Sequence, residues 1–429
     1  MYFYKVLIFC LLFCNVLPQI ANAVGITNYP PLVQPTYWTA KNKNGDDLIL
    51  SADEISDFNA NIRSASRTVC DLLKYPAKIS GDALKTKIMD YSVLDDDLYL
   101  HGNKVSANYK DILRQQTNIN SISSTIAVRY AVTVRRSSIR NLPTGEGLFY
   151  YAADKDFDAL QETMLDPGEP LLVLHSSANG FFYYVQSLNY SGWISKFNIA
   201  FTDKNTWKNF AEPEKFLVVI DADYILKTQG ENVLYQQGAR LPLENIQKDT
   251  YTVLAPIRNK NGSLQKVKLL IPKSVSAVHY GYLPYTSNNI LKSAFKFYGQ
   301  PYGWGGLKNS VDCSSLIFNA YRTVGIILPR NADEQETTAG IKHKLYGNAA
   351  ERRQQLTNLI PGAALYFDGH SLLYIGNING EPYTIHSLGS YYNDNKVQKA
   401  MKVVVSDLLL HRADGNTMLL DMNTAVEYR

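Results

Sequence analysis

One short stretch in the last third of the chain limits most strongly what it can fold into. The run Tyr-Gly-Trp-Gly-Gly at residues 302–306 is followed by Asp-Cys-Ser-Ser-Leu at residues 312–316. Apolar residues at helical spacing continue to Gly325, so the pattern predicts a helix that begins at Cys313 with Asp312 as its N-cap. The first turn of a helix favours a thiolate, and the N–H of Cys313 itself is available to an oxyanion. The alternative is a small buried residue next to a helix cap.

Two histidines follow the cysteine on a predicted hairpin. His370 begins an apolar strand, and His386 lies on the partner strand beyond an Asn-Gly turn at residues 379–380. A lone histidine in a strand is most often structural, but two at this spacing after such a cysteine suit thiol catalysis. We therefore predict that His370 is the general base toward Cys313 and that His386 fixes its tautomer.

The register of this hairpin decides whether the two histidines can meet. A two-residue turn would pair Ile378 with Glu381 and set the histidines on opposite faces of the sheet. A three-residue loop with Gly380 in the left-handed conformation would pair Asn377 with Glu381 and set both histidines on one face. We predict the three-residue loop, because only that register lets one histidine orient the other.

The first 23 residues have the pattern of a secretory signal peptide. Lys5 supplies the positive end, residues 6–16 form the apolar region, and Ala-Asn-Ala at residues 21–23 is a cleavage site. The alternative is a membrane anchor, for which the apolar run is short. We expect an exported protein, periplasmic or extracellular, with no stable membrane span after cleavage. Cleavage would leave Cys70 and Cys313, and Cys70 is interpreted as a small buried residue of a helix.

The 429 residues exceed one ordinary core, and length alone predicts roughly two to four domains. Residues 24–123 have a helical pattern with a capping box at residues 51–54. Residues 124–200 show short alternating strands that end in Gly-Trp-Ile, a pattern that resembles a bacterial SH3-like barrel. Residues 201–284 repeat this pattern without the Gly-Trp-Ile ending, and residues 285–429 mix helices with antiparallel strands. The predicted fold class is therefore α+β multidomain, with two small barrels before a C-terminal α+β domain.

Composition and motifs also argue against several classes of function. The net charge of +4 is too small to indicate nucleic acid binding. The histidines outside the hairpin show no metal-ligand spacing, and no Walker or Rossmann glycine pattern is present. We therefore predict no metal and no nucleotide cofactor.

The site motifs resemble those of the NlpC-type cysteine peptidases of bacterial cell-wall turnover. The chain also has Leu-Pro-Arg at residues 328–330 with Gln335, and Gly-His-Ser-Leu-Leu-Tyr-Ile-Gly at residues 369–376, in the family's order and spacing. The resemblance covers residues 286–390. The upstream arrangement is similar to one branch of the family, with an N-terminal clip and two SH3-like domains. Gly-Ala-Ala at residues 362–364, where many relatives have Gly-Asp-Leu, fits that branch.

This resemblance implies a papain-like fold and hydrolysis of the bond between γ-D-glutamate and a diamino acid in peptidoglycan stem peptides. Cys313 would be the nucleophile, His370 the base and His386 the third polar residue. Other side chains would contact the oxyanion or the substrate, or brace the pocket: Tyr302, Trp304, Asp312, Ser314 and Arg330.

In that branch the first SH3-like domain lies over the cleft and favours stem peptides with a free N-terminal L-alanine. The amine needs an acidic partner, and Asp158 and Glu162 are the candidates. The alternative is that both are solvated loop carboxylates. Ala332 stands where some relatives have a small hydroxyl, which departs from the family's substrate contacts.

Two other functions stay open on the sequence alone. The barrels could bind peptidoglycan while the C-terminal domain is inactive, or the thiol site could act as an amidase or acyltransferase on another amide. Peptidoglycan or its muropeptide fragments are the predicted partners, and the oligomeric state is not predicted.

Overall fold

The computed structural model of the protein describes residues 25–228 and 232–429. The predicted signal peptide, residues 1–23, lies outside the described residues. No helix in the described part of the chain is both long enough and apolar enough to span a membrane.

The N-terminal segment is a set of short helices and two-stranded ribbons. The helices are α1 (Pro35–Lys41), α2 (Ala52–Ala65), α3 (Gly81–Ile88) and α4 (Ala107–Gln116). The strands are β1 (Ile26–Thr27), β2 (Leu48–Leu50), β3 (Lys78–Ser80), β4 (Tyr99–Leu100), β5 (Asn103–Lys104) and β6 (Thr125–Ala127). The predicted capping box of Ser51 and Glu54 is confirmed at the start of α2.

The N-terminal segment packs against the C-terminal domain and forms hydrogen bonds with it. Trp38 of α1 is buried and packs against Tyr383, with ring centroids 5.5 Å apart. The amide of Asn59 donates to the carbonyl of Gly325 at 2.8 Å and accepts the N–H of Ile327 at 2.9 Å. Strand β1 extends the C-terminal sheet at its edge. The segment therefore braces the elements on which the candidate site lies.

The first barrel is a seven-stranded antiparallel sheet in the order β13-β7-β10-β11-β12-β8-β9. Its strands are β7 (Arg129–Thr133), β8 (Ser137–Arg140), β9 (Gln161–Leu165), β10 (Pro170–Ser176), β11 (Phe182–Gln186), β12 (Ser191–Ser195) and β13 (Ile199–Thr202). Trp193, from the Gly-Trp-Ile run, is fully buried in its core. A long loop between β8 and β9, residues 141–160, faces the C-terminal domain.

A second all-β unit, at the place of the second predicted barrel, follows a short helix, α5 (Lys204–Ala211). Five strands form its main sheet in the order β19-β18-β17-β14-β20, and β15 and β16 form a separate hairpin. The strands are β14 (Phe216–Val219), β15 (Asp223–Lys227), β16 (Asn232–Gln236), β17 (Arg240–Ile246), β18 (Thr250–Arg258), β19 (Leu264–Pro272) and β20 (Val278–Tyr280).

The C-terminal domain packs helices on both faces of an antiparallel sheet ordered β1-β26-β25-β24-β23-β27-β22. Its helices are α6 (Ser287–Phe295), α7 (Cys313–Arg322), α8 (Ala332–Thr337), α9 (Ala349–Thr357) and α10 (Met418–Asp421). Its strands are β21 (Tyr285–Thr286), β22 (Ile341–Lys344), β23 (Ala364–Phe367), β24 (His370–Ile378), β25 (Glu381–Asn393), β26 (Lys396–Asp407) and β27 (Thr424–Glu427). Helix α7 packs directly on β24 and β25.

Five short 3₁₀ turns complete the described helices. They are Leu72–Lys74, Ser92–Leu94, Ile119–Ser121, Lys196–Asn198 and Trp304–Asn309.

The predicted three-residue loop of the β24–β25 hairpin is wrong. Ile378 pairs with Glu381 across a two-residue turn, and Asn379 and Gly380 both have positive φ values of 52° and 84°. These values are those of the turn that an Asn-Gly pair favours. The register then shifts by one residue at Ile375, so that the histidines share a face after all. A bulge thus supplies the offset that we had assigned to the loop.

A buried ion cluster joins the first barrel to helix α7. Arg322 donates to Asp166 at 3.1 Å and to Glu169 at 2.7 Å, and Arg136 donates to Asp166 at 2.8 Å. Two arginines face two carboxylates, and each side chain is less than 20% exposed. A buried cluster of balanced charge fixes relative orientation, because separating the partners would leave charges unpaired. The barrel is therefore held in one position relative to the cysteine helix.

Candidate active site

The cysteine helix begins as its sequence predicts. Asp312 is the N-cap of α7, and its Oδ1 accepts the N–H of Ser315 at 2.9 Å. The Ser315 hydroxyl accepts the N–H of Asp312 at 2.8 Å, which completes a capping box. Cys313 is partly exposed on the first turn, and its sulfur forms no disulfide. Its own N–H has no acceptor in the described part of the chain, so it can bind an oxyanion.

The environment of Cys313 favours the thiol over the thiolate. Burial and then the negative charge of Asp312 raise the pKa of Cys313 above its ordinary value. The hydroxyl and N–H of Ser371, and the charge of Arg330, oppose this shift but do not reverse it. Burial and the capping carboxylate therefore act against the effect that we expect from the helix N-terminus. Such a thiol needs a base.

The two histidines form a hydrogen-bonded pair that can supply this base. His370 Nε2 lies 2.8 Å from His386 Nδ1, and His386 Nε2 lies 2.9 Å from the hydroxyl of Ser406. If His370 Nε2 carries the proton, its Nδ1 is free to accept one, and His386 then donates from Nε2 to Ser406. Burial, followed by the charge of Arg412, lowers the pKa of His370 to about 4. Both rings are therefore neutral at neutral pH, since burial also lowers the pKa of His386.

Tyr302 is adjacent to Cys313. Its side chain is buried, and its hydroxyl interacts with Cys313. Burial, with the charges of Cys313 and Asp312, raises the pKa of Tyr302 well above its ordinary value. The hydroxyl is therefore a permanent donor, which is what an oxyanion requires.

The side chain of Arg330 forms hydrogen bonds with three residues around the site. Its Nη2 donates to Asp312 Oδ2 at 2.5 Å, its Nη1 to the Ser314 hydroxyl at 2.9 Å, and its Nε to the Thr163 hydroxyl at 2.9 Å. Arg330 opposes the effect of burial and lowers the pKa of Asp312. Ser314 and Asp312 are themselves buried. These three residues of the domain therefore brace the start of α7 against the first barrel, since Thr163 belongs to strand β9.

The glycine-rich run is held against the first barrel. Gly305 and Gly306 have φ values of 54° and 83°, and a Cβ on Gly305 would lie 2.6 Å from Cγ of Gln161. Gln161 donates to the carbonyl of Gly305 at 2.9 Å, and Trp304 Nε1 donates to the carbonyl of Asp158 at 2.9 Å. The two glycines therefore serve both a backbone conformation and a close contact between domains.

Comparison with known proteins agrees with this geometry. Residues 299–404 match the NlpC/P60 family, and residues 148–195 match the SH3 domain of SH3b1 type. The C-terminal domain belongs to the NlpC/P60 family. The predicted fold class, an SH3-like domain upstream of an NlpC-type α+β domain, is confirmed, and so is the prediction of a cysteine peptidase domain.

Two curated relatives are similar to part of the chain. One is the Bifunctional muramidase/DL-endopeptidase CwlT of Bacillus subtilis (strain 168), 31% identical over 111 residues, which are 25% of this chain and 31% of that protein. The other is the Gamma-D-glutamyl-L-lysine dipeptidyl-peptidase of the same strain, 24% identical over 150 residues, which are 34% of this chain and 45% of that protein. The chain thus spans less than half the length of each.

A solved structure shares the fold of most of the chain. The NlpC/P60 endopeptidase from Photobacterium damselae subsp. piscicida superposes with a TM-score of 0.73 at 18% sequence identity. The superposition covers 90% of this chain and 95% of that one. It therefore shows that the two share a fold across the barrels and the NlpC/P60 domain.

The two carboxylates predicted to bind an amine have different surroundings. Asp158 is buried: its carboxylate accepts Arg140 at 2.8 Å and the N–H groups of Leu148 and Leu160 at 3.1 and 3.0 Å. We correct its assignment, because a carboxylate with these three donors shapes the loop rather than facing a ligand. Glu162 is only partly buried.

Glu162 faces the NlpC/P60 domain near Arg330. Its carboxylate accepts the hydroxyl of Tyr190, and Tyr190 also interacts with the side chain of Asn331. Burial raises the pKa of Glu162, against the effects of Tyr190, Asn141 and Arg330. Glu162 therefore lies near Arg330, and its role in binding an amine stays a prediction.

Sequence reasoning missed three residues of the site: Ser371, Tyr190 and Ser406. Ser406 is a polar residue at the end of a Val-Val-Val run, diagonal to His386 across the β25–β26 pair, and that pattern is a usable signal. Ser371 follows His370 directly. Tyr190 carries no local signal among so many tyrosines. In residues 25–228 and 232–429, no group of three or more His, Cys, Asp or Glu side chains is arranged to hold a metal.

Proposed function

We propose that the protein is a cysteine endopeptidase that hydrolyses the γ-D-glutamyl–diamino acid bond of peptidoglycan stem peptides. The observation that carries this proposal is the hydrogen-bonded chain His370–His386–Ser406, together with the interaction of Cys313 on the first turn of α7 with Ser371, the residue next to His370. The names of the two curated relatives, a DL-endopeptidase and a γ-D-glutamyl-L-lysine peptidase, support the bond. Such a substrate also supports action in the cell envelope, as does the predicted signal peptide.

The proposed reaction moves one proton through His370. Nδ1 of His370 accepts the thiol proton as the sulfur of Cys313 attacks the γ-carbonyl carbon of D-glutamate. The N–H of Cys313 and the hydroxyl of Tyr302 stabilise the oxyanion. His370 then donates its proton to the leaving amine, and the C–N bond breaks to leave a thioester. A water molecule, deprotonated by His370, hydrolyses the thioester and restores the thiol.

His386 and Ser406 act on the tautomer of His370. While His386 Nδ1 accepts from His370 Nε2, the Nδ1 of His370 stays unprotonated and can accept the thiol proton. The imidazolium that forms during the reaction keeps this hydrogen bond, which becomes charge-assisted and stabilises the positive charge. This role needs no charge on His386, consistent with its lowered pKa.

We further propose that Glu162 and Tyr190 bind the free amine of an N-terminal L-alanine. Their pair lies on the first barrel near Arg330 and Asn331, and the charge of Arg330 also acts on Cys313. A partly buried carboxylate with a tyrosine hydroxyl is suited to an ammonium group. An acylated, neutral end is disfavoured, because it would leave the charge of the carboxylate unpaired. Asp158 supports this pair indirectly, by shaping the loop that precedes it.

Mass spectrometry of the protein incubated with L-Ala-γ-D-Glu-diaminopimelate and its N-acetylated counterpart tests both proposals. We expect release of L-Ala-γ-D-Glu from the free peptide, and loss of at least about 10³-fold in rate for Cys313→Ala. A Cys313→Ala protein that still cleaves the peptide would exclude the thiol mechanism. Equal cleavage of both peptides would retain the enzyme and exclude the amine site.

A further inference from the structure

An open cavity of about 280 Å³ lies beside the catalytic histidine, and the proposed reaction does not yet use it. His370 and Tyr302 form part of its wall, together with Tyr391 and Tyr392 of strand β25. Asp368, Arg412, Ser390 and His411 add polar groups to the lining. Among the described residues that line it, Asp368 is the one carboxylate and Arg412 the one permanent cation.

The position of this cavity indicates which part of a substrate enters it. Glu162 and Tyr190 are not among its lining residues. They lie near Arg330, whose guanidinium contacts the start of α7. The cavity is adjacent to Cys313, because Tyr302 lines it and the Tyr302 hydroxyl interacts with Cys313. His370, which protonates the leaving amine, lines the cavity itself. The leaving group is therefore the part of the substrate next to it.

Arg412 is fixed in an orientation that leaves donors for a ligand. Its Nη1 donates to Asp421 at 2.8 Å, its Nη2 donates to the carbonyl of Asp368 at 3.0 Å, and its guanidinium lies over the Phe367 ring at 4.6 Å. A guanidinium has five N–H donors, so three remain without a partner in the described part of the chain. The side chain is 32% exposed, and its charge reaches His370, whose pKa it helps to lower.

We propose that this cavity binds the diamino acid of the leaving group, and that Arg412 selects a diamino acid with a carboxylate beside its distal amine. The inference rests on the proposed function and adds the identity of the leaving group. A carboxylate would meet the free donors of the Arg412 guanidinium, and the adjacent amine would meet Asp368. Diaminopimelate has such an end, whereas the end of lysine is an amine alone.

The same arrangement works against lysine. Lysine would place an ammonium group near an arginine and would leave the guanidinium without a carboxylate. One curated relative is named for a lysine-containing bond, and Arg412 leads us to expect a different leaving group here. Discrimination by a buried or half-buried group that is left unpaired is commonly stronger than discrimination by size.

Three peptides that differ only at the distal end test this inference. They are L-Ala-γ-D-Glu followed by diaminopimelate, by diaminopimelate amidated at the distal carboxyl group, or by lysine. We expect the wild-type kcat/KM for the first to exceed those for the other two by at least about tenfold. In Arg412→Gln we expect the ratio of kcat/KM for the diaminopimelate peptide to kcat/KM for each of the other two peptides to fall to within about threefold of one. The ratio is the readout, since Arg412 also influences His370 and absolute rates will change.

Arg353→Gln is the matched control. Arg353 is 30% exposed and pairs with Glu381 at 2.7 Å, much as Arg412 pairs with Asp421, but it does not line the cavity. We expect its ratio to equal that of the wild type. Equal wild-type cleavage of all three peptides, or an unchanged ratio in Arg412→Gln, would overturn the inference and leave the proposed function intact. Cleavage of none of the three by wild type would overturn the proposed function, and this inference with it.

Discussion

His370 Nε2 lies 2.8 Å from His386 Nδ1, although the tight turn between their strands would by itself place the two rings on opposite faces. The one-residue shift at Ile375 restores a common face. Gly376, the next residue, has a φ of 131° and lies against Trp38, whose ring would be 3.2 Å from a Cβ at that position. The N-terminal segment therefore contacts the irregularity on which the histidine pair depends.

Replacement of His386 separates an orienting role from a packing role. We expect His386→Asn to retain kcat within about tenfold of wild type, because Oδ1 of asparagine occupies the same place on the side chain as Nδ1 of histidine and accepts the same proton. We expect His386→Ala to lose about 10²-fold, since His370 is then free to take the wrong tautomer. Steady-state kinetics on the diaminopimelate tripeptide measure both.

The stability of the two variants serves as the control for this comparison. His386 is fully buried, so both replacements should lower the free energy of unfolding. If both lost activity equally, in proportion to lost stability, His386 would be a packing residue and the orienting role would be wrong.

The activity should persist to unusually low pH. Burial and Arg412 lower the pKa of His370 to about 4, and the ring must be neutral to accept the thiol proton. We expect the acid limb of kcat/KM to have its midpoint near pH 4, instead of the pH of about 6.5 typical of an exposed histidine. A pH profile in buffers of constant ionic strength measures this. A midpoint near pH 6.5 would show that the free enzyme has a more exposed or charge-paired histidine.

The same shift predicts how stability depends on pH. The folded-state pKa of His370 lies below the unfolded value of about 6.5, so the unfolded chain binds more protons between these two values. The contribution to stability is therefore complete above about pH 6.5 and is lost as pH falls toward 4. Urea denaturation at each pH separates this loss from the loss of activity.

What the sequence could predict depends on the range of the interactions involved. The cap at Asp312 was predictable because its partner Ser315 is three residues away. The histidine pair was predicted correctly but for the wrong reason, because the bulge at Ile375 lies where a distant segment packs. Asp158 was misassigned because its partner Arg140 comes from a neighbouring strand.

The pKa of Cys313 shows a second limit. A helix N-terminus is visible in a sequence, and its effect on a thiol is favourable to the thiolate. Burial is a property of the assembled fold, and here burial together with the Asp312 charge raises the pKa of Cys313. Local electrostatics can be anticipated from neighbours along the chain, but desolvation cannot.

The amine site makes a prediction about substrate ends. We expect Glu162→Gln to lower kcat/KM for the free tripeptide by at least tenfold, since it removes the charge that faces the ammonium group. The N-acetylated peptide, which has no charge to lose, should change much less. Glu146→Gln is the control, because Glu146 is a half-exposed carboxylate of the same barrel that pairs with His101. An equal effect on both peptides would assign Glu162 to domain docking instead.

The close contact between the glycine-rich run and the first barrel can be tested at Gly305. An alanine there would have to adopt a φ of 54° and would place its Cβ 2.6 Å from Gln161 Cγ. We expect Gly305→Ala to lower the free energy of unfolding by about 3 kcal/mol, from backbone strain and overpacking together. KM should also rise, because the barrel can no longer approach the cleft that it helps to form.

Gly180→Ala isolates the backbone term of this effect. Gly180 has a φ of 67° in the same barrel, and a Cβ there would meet nothing within 4 Å. We expect a loss of only about 1 kcal/mol and an unchanged KM. Urea denaturation and steady-state kinetics on both variants make the comparison. If the two variants lost equal stability, the contact with Gln161 would add nothing, and the glycines of the run would be explained by backbone conformation alone.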